Sequence, residues 1–293
     1  MKRLLLTGAS GFLGWQVAAH AQNEWAVVGV TCRHAVTLPR GQAAVTADLT
    51  EAAAVRRLFA EVRPDAVLHL AALADPNACQ REPERSLAVN VTASVTLADA
   101  CAAAGIPCVF ASTDLVFDGR HAPYDETAIP SPVNLYGEHK LLAEKEMRLR
   151  CPQLTVCRLP LMYGPPGPAA QGFVATALAA WRAGKPVRLF TDEFRTPALT
   201  GAVAAGLFLA LRERPAVLHL GGPERLSRHA FGLLLAQLAG INPALVQPCL
   251  QTDVPMPAPR PADVSLDSRH AFTLGYHPRP AAETLRTLLG TPF

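Results

Sequence analysis

Most features that would tie the chain to a macromolecular partner or a special compartment are scarce or missing. Its 293 residues carry a formal net charge of only +3 with arginines scattered rather than striped, so no basic face calls for nucleic acid. Metal-ligand spacing is missing too, because Cys32, Cys79, Cys101, Cys108, Cys151, Cys157 and Cys249 form no paired motif. Their odd number predicts reduced, mostly buried thiols in a cytoplasmic protein rather than a disulfide framework or a metal site. No apolar run approaches the length of a membrane span, and no internal repeat is evident. The three leucines after Lys2-Arg3 are too short for a signal peptide and lead into a glycine turn instead of a small-residue cleavage site.

What the chain does have is apolar residues, half of its total, enough for one large core and a smaller lobe. Strand-like runs at 3–7, 26–32, 66–70, 107–112 and 154–159 alternate with Ala-rich helical runs at 12–22, 51–62, 85–104 and 136–149. That alternation predicts an α/β fold with a doubly wound parallel sheet and right-handed crossovers. Prolines crowd the second half, where helical spacing survives at 173–183, 200–212 and 227–239 and Val217-Leu-His-Leu220 reads as another strand. The expected division is a dinucleotide-binding domain over 1–160, with a return to it near 196–222. Residues 161–293 then form mainly a discontinuous substrate lobe.

The most telling segment is Leu4-Leu-Leu-Thr-Gly8-Ala-Ser10-Gly11-Phe12-Leu13-Gly14, a strand, a glycine turn and the start of a helix. Gly8 permits a tight exit, Gly11 lets backbone approach a pyrophosphate, and Gly14 lets the helix lie close on the sheet. Ser10, Phe12 and Leu13 complete the stretch that faces the phosphates at the helix N-terminus. The next strand ends Thr31-Cys-Arg33-His34 with no acidic residue. An Arg at that point suits a 2′-phosphate, so NADP(H) is favoured over NAD(H). Asp48, beside Leu49, either accepts from an adenine amino group or caps the helix that begins at Thr50 or Glu51.

The chemistry lies in Tyr136-Gly-Glu-His-Lys140. Positions i and i+4 share a helix face, and a phenol that ordinarily titrates near pH 10 needs a neighbouring positive charge to exchange protons near neutrality. Upstream, Val109-Phe-Ala-Ser112-Thr113-Asp114 delivers hydroxyls at the C-terminal end of a strand, the edge where open α/β sheets bind ligands. His139 is expected exposed on its helix, and His69 is expected to be a strand-end residue bonded locally.

Taken together, Gly8/Gly11/Gly14, Ser112-Thr113-Asp114-x-Val-Phe-Asp-Gly119, Asn134-x-Tyr136-Gly-x-x-Lys140 and Asp192-x-Phe-Arg195-x-Pro197 resemble the extended short-chain dehydrogenases/reductases. More narrowly, they resemble the dTDP-4-dehydrorhamnose reductase group, with specific motifs to about residue 200. The resemblance implies that Thr113 orients a carbonyl, Tyr136 donates the proton, and Lys140 clamps the nicotinamide ribose and modulates Tyr136. It further implies that Leu70-Ala71-Ala72 lie along the cofactor and that Asn90 supports the active-site backbone or a relay water. Asp114 then touches substrate hydroxyls or caps a turn, and Arg195 clamps a nucleotide diphosphate or pairs with Asp192 or Glu193.

The implied activity is reduction of a carbonyl, foremost a 4-keto-6-deoxy nucleotide sugar, by a homodimer joined through 85–104 and 136–149, with no nucleic-acid or membrane partner. The pattern departs from the group where an aromatic and a Trp give way to Leu115 and Leu161, which removes two sugar-stacking surfaces. An epimerase would use the same Tyr and Lys. A third alternative is a non-catalytic NADP-binding subunit like the beta subunit of methionine adenosyltransferase.

Overall fold

Seven parallel strands make one sheet: β1 (Lys2–Thr7), β2 (Trp25–Thr31), β3 (Ala43–Thr46), β4 (Ala66–His69), β5 (Cys108–Thr113), β6 (Leu154–Leu159) and β7 (Val217–His219). The computed structural model describes residues 1–21, 24–32, 36–167 and 169–290. The spatial order is β7-β6-β5-β4-β1-β2-β3, so the winding direction reverses between β1 and β4 and a crevice opens at their C-terminal ends. Thr7 stands opposite His69 in that register, at the mouth of the crevice.

The helices are α1 (Phe12–His20), α2 (Ala52–Val62), α3 (Pro76–Arg81), α4 (Pro83–Leu87), α5 (Ala93–Ala104), α6 (Leu135–Arg150), α7 (Gly172–Arg182), α8 (Thr200–Glu213), α9 (Arg228–Leu238), α10 (Arg269–Thr273) and α11 (Ala281–Leu289). Strand alternation divides the core. Leu4 and Leu6 of β1 face Val17 of α1 and Leu207 of α8, while Leu5 faces the other way, into a cluster with Val67, Leu97, Phe110 and Met147. Each such fully buried side chain contributes about 1.5–3 kcal/mol relative to exposure, so both faces of the sheet are strongly held. A further core, with Tyr163, Val174, Trp181, Phe231, Leu235 and Leu285, unites α7, α9 and α11.

The chain crosses between these parts more than once. Met162–Tyr163 pairs with Ala198–Leu199, after which α8 packs on α1 and β7 joins β6. The short pairs Val187–Phe190 with Val246–Cys249 and Phe194–Arg195 with Leu226–Ser227 stay outside the main sheet.

Four differences from the sequence expectations have physical causes. Strand β3 was not foreseen, since Ala43-Ala-Val-Thr46 is a short edge strand with mostly exposed side chains. Helix α11 lies beyond the last helical run read from the sequence. The helix expected at 85–104 is continuous but contains a π turn, Ala88–Thr92, that aims Asn90 inward. Finally, the continuous helix Pro83–Ala104 is, by length and composition alone, apolar enough to span a bilayer, and its α5 part packs on α2 and α6.

Candidate active site

The glycine turn is built as a cradle. Gly8 has φ +69°, and a Cβ there would lie 2.8 Å from the Ala71 nitrogen, while one on Gly14 would lie 2.1 Å from the Gly8 carbonyl oxygen. Only hydrogen fits at either position. Gly8, Ser10 and Gly11 line a cleft of about 320 Å³ together with Thr31, Cys32, Asp48, Leu49, Leu70, Ala71, Ala72, Val89 and Ala93. Leu13 and Gly14 are buried behind the turn, and the ring of Phe12 lies against Gly172, so these three shape the cradle from the rear. Asp48 accepts from the Thr50 amide at 2.9 Å and the Thr50 hydroxyl at 2.7 Å, ahead of a helix whose N-cap is Glu51. It therefore makes a local turn rather than capping α2. Arg33 lies outside the described residues.

The cleft wall rests on a buried polar lattice. The Thr7 hydroxyl accepts from the Leu70 and Ala71 amides, each at 3.1 Å, and so donates its own proton to His69 Nδ1 at 2.7 Å. His69 Nε2 is then the protonated nitrogen and donates to Ser94 at 2.9 Å. Burial, aided by the Lys140 charge, lowers the His69 pKa to about 3, so the ring is neutral. Its bonds join β1 and the helix after Asn90, which corrects the expectation of a local partner.

Asn90 is saturated by protein. Its Oδ1 accepts from the Leu73 amide at 2.9 Å, and its Nδ2 donates to the Leu73 carbonyl at 3.1 Å and to Ser86 at 3.2 Å. It fixes the loop beside the cleft and is not itself among the residues lining it. His139, expected exposed, is buried, with its Nδ1 and the Ser86 hydroxyl hydrogen-bonded at 2.8 Å.

Thr113 at the end of β5, and Tyr136 and Lys140 one turn apart on α6, are each less than a tenth exposed and are not among the residues lining this cleft. Asn134 caps α6 by accepting from Gly137, and Gly137 lets the helix start against the Leu115 carbonyl, which would be 2.2 Å from a Cβ. This seats Tyr136 near Thr113, whose hydroxyl donates to Asp114 at 3.2 Å and weakly favours the phenolate. Burial wins nevertheless and holds the phenol well above its ordinary value, reinforced by Cys79 and Asp114 and opposed by Arg195.

The expected lowering of the phenol by Lys140 is not what this site shows. Lys140 sits 3.8 Å above the Phe110 ring centroid, and its own pKa falls to about 7 through burial, with Glu144 and Cys79 pulling the other way. Glu144 in turn accepts from Ser112 and holds Arg158 by two bonds, at 2.9 and 3.2 Å.

Asp114 and Arg195 meet each other rather than open space. Arg195 donates through Nε at 2.6 Å and again through Nη2, a bidentate pair with Asp114 fully buried. Glu193 lies 3.5 Å from Arg195, whereas Asp192 accepts from the Gln251 amide instead. Of the expected pairings for Arg195, the one with Glu193 is present and the one with Asp192 is not, while the bidentate bond to Asp114 was not expected. Burial would discharge Arg195, but Asp114 and Glu193 overcome it and hold the guanidinium above its usual value. Burial keeps Asp114 raised despite Arg195.

Sequence reasoning missed Arg228 and Arg260. Both interact electrostatically with Glu193 and Arg195, and among the described residues neither forms an ion pair; Arg260 Nη1 is buried without a hydrogen-bond partner. Burial lowers the pKa of both, partly offset by Glu193, while the charge of Arg195 pushes the same way as burial. The available signal was Arg260 itself, enclosed by Pro259 and Pro261 in a stretch read only as a loop.

A Rossmann-type sheet with a glycine cradle at its switch point, and a buried Thr-Tyr-Lys set next to it, defines the class of α/β protein. The chain belongs to the RmlD substrate binding domain family, whose profile matches residues 1–291. It is 31% identical over 284 residues to methionine adenosyltransferase 2 subunit beta of Xenopus laevis, covering 94% of this chain and 83% of that one. It is also 31% identical over 285 residues to the dTDP-4-dehydrorhamnose reductase of Mycolicibacterium smegmatis, covering 94% and 81%. Among solved structures, the Thermus thermophilus UDP-glucose 4-epimerase complex with NAD superposes with a TM-score of 0.85 at 25% identity, over 98% of each chain.

Proposed function

We propose that this protein is an NAD(P)H-dependent reductase of a nucleotide-sugar ketone, foremost a 4-keto-6-deoxy sugar of the dTDP-4-dehydrorhamnose kind, with NADPH the favoured reductant. The observation that carries the proposal is the burial of Thr113, Tyr136 and Lys140, with Tyr136 and Lys140 one turn apart on α6 and Thr113 adjoining the buried Asp114–Arg195 pair. A glycine cradle that no Cβ could enter fits a dinucleotide pyrophosphate.

Bound dihydronicotinamide supplies the hydride. Thr113 Oγ1 orients the ketone oxygen, and the Tyr136 hydroxyl, kept protonated by burial, gives its proton to that oxygen as negative charge develops. Lys140 takes up a proton once anionic ligands fill the site and returns charge next to the phenolate that remains. The arginines around Glu193, with one unpartnered buried N–H, suit the diphosphate of the substrate. Seven thiols, all free, fit a cytoplasmic setting. Exposed Leu142 and Leu149 on α6 and Leu87 on α4 fit a homodimer joined through these helices.

The test follows NADPH absorbance while a panel of nucleotide-linked 4-keto sugars is offered to the wild type and to Tyr136→Phe. Stoichiometric oxidation that the variant loses, at unchanged NADPH affinity, is expected; undiminished turnover by the variant refutes the assigned role. The relationship to a methionine adenosyltransferase beta subunit gives the second reading, a binding subunit, which predicts NADPH binding without consumption for every ketone.

A further inference from the structure

The dinucleotide cleft contains one cation that the sequence motifs did not single out. Among the described residues lining it, only Asp48 and Arg85 are charged. The glycine turn offers backbone N–H groups and the Ser10 hydroxyl, so among the described lining residues Arg85 is the one positive group a ligand with two phosphate charges would meet. Arg85 belongs to α4, and Val89 and Ala93, four and eight residues on, line the same cleft. These three residues make one stripe along a continuous helix. Asn90 bonds the Leu73 backbone in the middle of this stripe, so the helix is locked to the wall of the cleft and Arg85 is held at its rim.

The guanidinium is parked. Its Nη1 donates to Glu82, three residues earlier, with side-chain exposures of 35% and 44% for the two partners. An exposed pair at this spacing is among the weakest of ion pairs and is readily exchanged for a phosphate, which the planar fork of Arg fits better than a single carboxylate contact.

We propose that Arg85 is a cofactor-recognition residue: it leaves Glu82 and closes over a phosphate of the bound dinucleotide, acting as a clasp at the rim of the cleft. Glu82 holds the clasp open in the free protein. This rests on the reading of the cleft as a dinucleotide site but not on any catalytic assignment.

The test is fluorescence titration of NADPH and of NADH against the wild type, Arg85→Ala, Arg85→Lys and Glu82→Gln, at two salt concentrations, with thermal midpoints to confirm that each variant is folded. Arg85→Ala is expected to weaken binding about tenfold and to flatten its salt dependence, because one charge-assisted contact is lost. Arg85→Lys should recover part of the loss. Glu82→Gln should tighten binding in the wild-type background and have no effect in the Arg85→Ala background. A loss confined to NADPH identifies the 2′-phosphate as the partner, and an equal loss for both cofactors identifies the pyrophosphate. Wild-type binding left unchanged by Arg85→Ala overturns the clasp, whereas failure of the wild type to bind either nucleotide overturns the reading of the cleft itself.

Discussion

Lys140 makes the most direct quantitative claim of the fold, because its burial is measurable without any substrate. Its pKa drops from 10.5 to about 7 in the folded protein, a difference worth about 5 kcal/mol between charged and neutral amine. The unfolded chain holds this proton up to pH 10.5 while the native state has released it above 7, so the unfolded state binds more protons throughout that window. Stability must therefore rise with pH across it. Integrating from pH 7 to pH 9 gives a gain of about 2 kcal/mol from this one group. Buried thiols and phenols act in the opposite sense at alkaline pH, so the informative quantity is the difference between the wild type and Lys140→Met, measured by urea unfolding at pH 7 and pH 9. The variant should lose the Lys140 gain and close on, or overtake, the wild type at pH 7. Parallel stability curves for the two proteins would show that Lys140 stays charged in the fold, and the account of a recharging amine would fail.

The remaining expectations concern stability and assembly. Asp114→Asn leaves Arg195 with Glu193 alone, so unfolding should be easier by about 3 kcal/mol or more and the thermal midpoint should fall by several degrees; an unchanged midpoint would mean the pair carries no net stability. His219 is held neutral, its pKa near 3 from burial and the Arg158 charge, so below pH 6.5 the unfolded state takes a proton first and stability falls with pH. His219→Gln should flatten that fall when unfolding is followed between pH 6.5 and pH 4. Gly14→Ala drives a methyl into the Gly8 carbonyl and should abolish nucleotide binding together with a clear loss in thermal midpoint, whereas Gly201→Ala, whose Cβ would meet nothing nearer than the Leu199 side chain at 4.0 Å, should leave binding intact. Sedimentation should show a dimer that Leu142→Glu with Leu149→Glu converts to monomer, and a wild-type monomer would remove the proposed interface.

What could be read from the residues is set by how local the causes are. The glycine cradle, the Tyr-Lys helix face and the alternation of strands and helices depend on neighbours within one or two turns, so sequence periodicity carries them. His139 shows the limit: it is buried with its ring bonded to Ser86, 53 residues away, and nothing in the periodicity of α6 announces that partner. Arg195 and Asp114 are 81 residues apart, and their pairing appears only when the chain returns from the lobe. The same holds for the phenol. Spacing alone places an ammonium beside it, while the depth at which both are buried, which decides who is charged, is a property of the assembled core.

That dependence on burial also bears on substrate choice. Leu115 and Leu161 replace the stacking aromatics expected of a rhamnose-pathway enzyme, and Leu115 is buried in a cluster with Val116, Phe117, Tyr124 and Tyr136, turned to packing rather than to an open pocket. Under the proposed function the groups left to grip a substrate are charged: Arg228 and Arg260, two guanidiniums whose pKa burial lowers, near Glu193 and, for Arg260, Asp75. On that reading, a site that gives up ring stacking and keeps half-buried guanidiniums close together would gain binding energy from an anion, since a phosphate oxygen would relieve both the orphaned Arg260 N–H and the repulsion between arginines. Under the proposed reaction, discrimination among sugars should then be shallow and dependence on the diphosphate steep. Inhibition constants for nucleoside diphosphates against the corresponding monophosphates measure that balance; equal constants would move recognition back to the sugar.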